Sequence, residues 1–180
     1  MLYFIEYEPT GRPEDRKTEH LLGRRLLEYG LKEEYGRVYD IEQIEGGKPY
    51  LPKAPHIHFN ISHTKGIVVC IIGKKEIGID IEYIREAKDS LICRICSSAE
   101  KEYICEKPED RNRRFTSIWT LKESYIKAIG KGLSFSLKEI EFFIQNTKEG
   151  DNMIASNIEG WNYRQFVLKG KYILSICESR

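Results

Sequence analysis

Two short segments carry the residue types from which a site could be built: Gly78-Ile79-Asp80-Ile81-Glu82 and Trp119-Thr120-Leu121-Lys122-Glu123-Ser124-Tyr125-Ile126-Lys127. In the first, isoleucines alternate with Gly78, Asp80 and Glu82, the two-residue period of a half-buried strand. That period sets both carboxylates on one face, with Cα atoms roughly 6–7 Å apart. Like charges so close repel unless they are solvated, protonated or bridged by a cation. Oxygen donors without a histidine or cysteine partner favour a hard ion, magnesium rather than zinc. Gly78 shares that face, and its missing side chain is expected to leave room for a ligand.

The second segment is helical by pattern. Ile118, Leu121, Tyr125, Ala128 and Ile129 form the apolar stripe that should pack on a core. Trp119, Glu123 and Lys127 form a separate ridge, with Glu123 and Lys127 one turn apart. Three carboxylates and a lysine could therefore converge around a cation holding something anionic. Three smaller motifs supply further anion-binding groups. Asn60-Ile61-Ser62-His63 ends a strand-like run and can donate hydrogen bonds to phosphate oxygens. Gly47-Lys48-Pro49 offers a lysine on a stiff loop, and Gly130-Lys131-Gly132-Leu133 a basic turn after the helix. Ser62 and His63 are not a nucleophile–base pair, because adjacent strand residues point to opposite faces. The chain has no GxxxxGK[ST] loop and no GxGxxG after a strand, which disfavours ATP and dinucleotide folds.

The elements that must position these residues read as follows. Residues 2–7 form a strand, and Glu14 to about Tyr29 a helix with a stripe of Leu21, Leu22, Leu26 and Leu27. After the Gly/Pro-rich loop around residues 46–52, Ile57–Ser62, Ile67–Ile72 and Glu76–Ile81 read as an antiparallel meander. Helices are expected over 89–106 and 113–129, then strands Glu139–Gln145, Asn162–Leu168 and Tyr172–Cys177. Helix followed by three-stranded meander thus occurs twice. The expected fold class is α+β, with two similar halves, 1–86 and 87–180, and a ligand in the crevice between them.

Bulk properties bound the partners. The 180 residues carry 29 basic and 28 acidic side chains, net +1, so no global field favours nucleic acid or membrane, and any anion site must be local. No apolar run approaches the ~20 residues of a membrane span. Five cysteines, Cys70, Cys93, Cys96, Cys105 and Cys177, read as buried reduced thiols of a cytoplasmic protein. The N-terminus turns polar too soon for a signal peptide.

Taken together, Gly47-Lys48-Pro49, Phe59-Asn60-Ile61-Ser62-His63, Gly78-Ile79-Asp80-Ile81-Glu82 and the run from Trp119 to Gly132 resemble the 4′-phosphopantetheinyl transferases. The resemblance is to the larger type that activates peptide synthetases and is built as an intramolecular pseudo-dimer. It implies transfer of phosphopantetheine from coenzyme A to a serine of an apo acyl or peptidyl carrier protein, releasing adenosine 3′,5′-bisphosphate. By the same resemblance Asp80, Glu82 and Glu123 would hold Mg²⁺, and Lys127 would contact a pyrophosphate oxygen. Ser62 and His63 would bind the phosphates of coenzyme A, and Lys48 and Pro49 would flank its adenine end. Glu123 is the first candidate for the base that takes the serine proton, and Glu100, which matches another family carboxylate, the second. Family members usually carry basic residues near the N-terminal helix for the 3′-phosphate; here that position reads Glu19-His20, leaving His20, Arg12, Arg16 or Lys17 to serve. Carrier docking is expected on Arg111, Arg113 and Arg114, and a monomer is expected because both halves lie in one chain. Two alternatives share these residues: a Mg²⁺-dependent phosphohydrolase of a nucleotide or coenzyme A, and a non-catalytic coenzyme A or carrier-binding module.

Overall fold

The computed structural model describes residues 1–44, 47–130, 136–146 and 152–180. Strand β1 (Leu2–Glu6) precedes helix α1 (Glu14–Tyr35), followed by β2 (His58–Thr64), β3 (Ile67–Gly73) and β4 (Ile77–Tyr83). Helices α2 (Asp89–Ile95), α3 (Ser98–Cys105) and α4 (Arg111–Ile129) come next, then β5 (Phe142–Asn146), β6 (Asn152–Ser156), β7 (Trp161–Leu168) and β8 (Tyr172–Ser179). The class is α+β, as expected.

The strands pair antiparallel in the orders β1-β3-β2 and β4-β8-β7, with β5-β6 as a separate ribbon. This corrects the expected meanders. β2 and β3 form the anticipated hairpin, but β4 does not return beside β3. It crosses to the other sheet, with Asp80 opposite Ser175 of β8. The reason lies in its faces. Ile77, Ile79 and Ile81 pack with Ile67, Val69 and Ile71 of β3 and with Tyr172, Leu174 and Ile176 of β8, in one core between two sheets. The alternation that marks β4 as a strand cannot say which edge it joins. Likewise, β5 pairs with β6, which was not anticipated, instead of joining β7 and β8.

The opposite face of β3, with Cys70 and Ile72, packs on Leu27 and Leu31 of α1. The opposite face of β4 looks to α4. The layers therefore run α1, first sheet, second sheet, α4. α1 extends past the expected end at Tyr29 because Gly30 lies inside it, not after it. A Cβ there would stand 2.5 Å from the Tyr3 ring and 2.7 Å from Ile72, so the glycine serves close packing on the sheet. The helix stops at Gly36, whose φ of 71° is the left-handed cap. Leu21, expected in the apolar stripe, is 51% exposed; the buried positions are Gly23, Leu27, Gly30 and Leu31.

The stretch 89–106 is two helices. Ser97 caps α3, its hydroxyl accepting from the Glu100 amide while the Glu100 carboxylate accepts from the Ser97 amide. All five cysteines are free, but Cys93 and Cys105 are exposed, so burial holds for three of them. Among the described residues, no helix is long and apolar enough to cross a membrane.

Candidate active site

The alternation of β4 sends Gly78, Asp80 and Glu82 toward α4, and Gly78 decides how close that helix comes. A Cβ at this position would lie 2.0 Å from the Ser124 carbonyl oxygen and 2.5 Å from the Ala128 amide nitrogen. The space above Gly78 is filled by the backbone of α4, not left open for a ligand, which corrects the expected role of this residue. The close approach lets Lys127 reach β4. Its ammonium donates to Asp80 Oδ1 at 2.6 Å and to Ser62 Oγ at 2.9 Å, and Ser62 Oγ donates to the same Asp80 oxygen at 2.9 Å. Residues from β2, β4 and α4 thus meet at one point, although 65 residues separate Ser62 from Lys127.

Two carboxylate oxygens here are buried with no hydrogen-bond partner, Asp80 Oδ2 and Glu123 Oε1. Such atoms cost free energy unless something fills the gap. Burial pushes the Glu123 carboxyl up to about 7, reinforced by the charges of Asp80 and Glu82 and opposed by Lys127. Glu82 is raised as well, by burial and then by Asp80, while its Oε2 accepts from the Thr64 hydroxyl at 3.2 Å. Among the described residues no three histidine, cysteine, aspartate or glutamate side chains form a ready metal cluster. The orphaned oxygens of Asp80 and Glu123 are nonetheless the hard, anionic donors that a divalent cation such as Mg²⁺ takes. The negative charge these crowded, buried carboxylates carry is what such an ion would offset, so the residues fit.

His63 points away from Ser62, toward α1. Its Nδ1 lies 3.0 Å from Glu19 Oε2, and its ring meets that of the exposed His20 edge-on at 5.7 Å. The Tyr7 hydroxyl donates to the other Glu19 oxygen. Burial lowers the His63 pKa; Glu19 opposes this, while His20, Lys127 and Arg16 lower it further. His20, Arg16 and Lys127 thus gather basic groups around His63, beside the acidic cluster.

Other expected site residues stand elsewhere. Lys48 is tied between β4 and α4, its ammonium donating to the carbonyls of Ile77 at 2.5 Å and Ala128 at 3.4 Å. Burial lowers its pKa to about 8. Pro49 beside it is half-buried. Gly130 caps α4 in the left-handed region and packs on the Lys48 stem, whereas Lys131, Gly132 and Leu133 lie outside the described residues.

Glu100, expected as a second base, is only 2% exposed and fully engaged. Its Oε2 accepts from Lys122 at 2.6 Å and from the Ser97 amide, and Oε1 accepts from the Phe142 amide. Lys122, with no exposure, spends its other protons on the carbonyls of Ile95 and Leu137. Both oxygens of Glu100 thus already accept hydrogen bonds, and the residue ties α3, α4 and β5 together. The sequence held the clue: Ser97-Ser98-Ala99-Glu100 is a capping box. The arginines expected to dock a carrier are also partly committed. Arg111 binds the Ala87 carbonyl and Asp89, and Arg114 binds the Tyr103 carbonyl and Glu106, leaving Arg113 exposed.

Helix-backed antiparallel sheets with an acidic and lysine-bearing cluster at their junction define the class of fold and site. The family is fixed by sequence comparison: the model of the 4'-phosphopantetheinyl transferase superfamily matches residues 76–177, from the approach to β4 through β8. The chain belongs to that superfamily. It is 34% identical over 134 residues to a "4'-phosphopantetheinyl transferase" of Bacillus subtilis, covering 74% of this chain and 60% of that protein. It is 35% identical over 161 residues to "4'-phosphopantetheinyl transferase psf-1" of Bacillus pumilus, covering 87% and 69%. It is 40% identical over 94 residues to "4'-phosphopantetheinyl transferase Sfp" of Bacillus subtilis strain 168, covering 52% and 42%. The matches span 60%, 69% and 42% of the lengths of these relatives, in the order given.

Proposed function

We propose that this protein transfers the 4′-phosphopantetheine group of coenzyme A to a serine of an apo acyl or peptidyl carrier protein. The observation that carries the reading is the meeting of Lys127 with Asp80 and Ser62 beside two unpartnered carboxylate oxygens. Membership of the transferase superfamily supports it.

Phosphoryl transfer asks mainly for positioning and for neutralisation of charge on the phosphate oxygens. Asp80, Glu82 and Glu123 would hold Mg²⁺, which when bound would offset the charge of the pyrophosphate. Lys127, anchored on Asp80, presents its ammonium to a phosphate oxygen, with Ser62, His63 and His20 toward the remaining phosphates. In the reaction the carrier serine oxygen bonds to the phosphorus bearing the pantetheine arm. The bond from that phosphorus to the bridging oxygen breaks, and adenosine 3′,5′-bisphosphate leaves. The serine proton passes to Glu123, directly or through a water; burial raises this carboxyl, and as a cation ligand it would be a weaker base. In this reading Lys48 and Pro49 serve the adenine end by fixing the loop. The two helix-and-sheet units, 1–86 and 87–180 with β4 reaching across, act as an intramolecular pseudo-dimer, and the protein works as a cytoplasmic monomer.

The test is to incubate the protein with coenzyme A, Mg²⁺ and a panel of apo-carriers and to weigh the products. The reading requires a carrier heavier by one phosphopantetheine, with labelling lost in Asp80→Ala and in Glu123→Ala while both remain folded. Release of adenosine 3′,5′-bisphosphate without a carrier would favour a hydrolase instead.

A further inference from the structure

β2 and β4 belong to different sheets, yet they are joined along their lengths by side chains. The Ile79 amide donates to Asn60 Oδ1 at 2.9 Å, the Ile81 amide to Ser62 Oγ at 3.3 Å, and the Tyr83 amide to Thr64 Oγ1 at 3.3 Å. Both strands advance by two residues from one contact to the next. A row of side-chain oxygens on β2 therefore takes the place of a backbone ladder and satisfies amides of β4.

The two hydroxyls of this row do something more. Ser62 accepts the Ile81 amide and donates to Asp80 Oδ1 at 2.9 Å; Thr64 accepts the Tyr83 amide and donates to Glu82 Oε2 at 3.2 Å. Each hydroxyl has a single proton. With its acceptor side engaged by a backbone amide, its proton is directed at the carboxylate one residue before that amide. The same unit occurs twice at a spacing of two residues, matching the spacing of the acidic pair. We propose that Thr64 is a positioning residue for Glu82, as Ser62 is for Asp80, and that the β2 hydroxyl row fixes the orientation of the acidic pair toward α4. The inference rests on the reading of these carboxylates as cation ligands and adds to it Thr64, which touches neither cation nor substrate. Partners in this outer position affect metal affinity by about 10- to 100-fold in metal sites generally.

Thr64→Val keeps the side-chain shape and removes the hydroxyl, and Thr64→Ser keeps the hydroxyl. Tyr83 is exposed, so water can take over its amide and the valine variant should fold. Binding of Mn²⁺ to the free protein, followed by calorimetry and by the spin-resonance signal of the unbound ion, reports on the carboxylates without any turnover. Thr64→Val should weaken Mn²⁺ binding by about tenfold, Thr64→Ser should restore it, and Thr64→Val added to Glu82→Gln should cost little more than Glu82→Gln alone. Undiminished binding by Thr64→Val, beside a wild type that binds, overturns the inference and leaves the proposed function standing. A wild type that binds no Mn²⁺, but labels carriers in a metal-free buffer, overturns the cation reading and this inference together.

Discussion

Gly78→Ala is the smallest change that should separate the two halves of the site. The added Cβ would sit 2.0 Å from the Ser124 carbonyl oxygen, 2.5 Å from the Ala128 nitrogen and 3.0 Å from the Ala128 Cα, all backbone atoms of α4 that cannot rotate away. Reaching an ordinary contact near 3.4 Å requires α4 to retreat from β4 by about 1.4 Å. Overpacking of this kind costs about 1–3 kcal/mol, and the rigid partners put the expectation at the upper end. The retreat would carry Lys127 beyond hydrogen-bonding range of Asp80 and Ser62, now 2.6 and 2.9 Å away. A misplacement of about 1 Å can cost about 10²-fold in rate. The assay is thermal unfolding together with the rate of carrier labelling, measured well below the melting temperature so that the variant is folded. A Gly78→Ala protein with wild-type stability and wild-type labelling would refute the claim that this glycine sets the approach of the helix.

Further outcomes follow from the same geometry. Glu100→Gln should lower stability by about 3–5 kcal/mol in urea unfolding, because it strands the buried Lys122 charge; a stable but inactive variant would instead return Glu100 to the role of base. Gly30→Ala should destabilise α1 packing despite the better helix propensity of alanine, since its Cβ would meet Tyr3 and Ile72 at 2.5 and 2.7 Å, and melting temperatures check this. Lys48 gives a pH signature. Its folded pKa of about 8 lies below the ordinary lysine value of 10.5, so folding disfavours its proton. The cost of burying the charge is full below pH 8 and is relieved as pH rises toward 10.5. Relative to Lys48→Met, the wild type should therefore gain stability between those values, by at most about 3 kcal/mol; parallel unfolding profiles would contradict the burial of this ammonium.

The residues of the site were legible in the chain because their local periods are short-range facts. Alternation through Gly78–Glu82 and the one-turn spacing of Glu123 and Lys127 set which side chains share a face, and the structure keeps both groupings. The apolar stripe from Ile118 to Ala128 is buried for the same reason. Local pattern could not say which neighbour each face would meet. β4 leaves the β2–β3 hairpin for β8, Gly78 serves a helix and not a ligand, and Glu100 turns inward to Lys122 while Glu123, one residue further along α4, turns to β4. Those outcomes depend on contacts between residues far apart in sequence, where a side chain's partner is chosen by how whole faces bury apolar surface together. The amino-acid order specified the chemistry available; the packing of α4 onto β4 decided which of those groups could act on the same atoms.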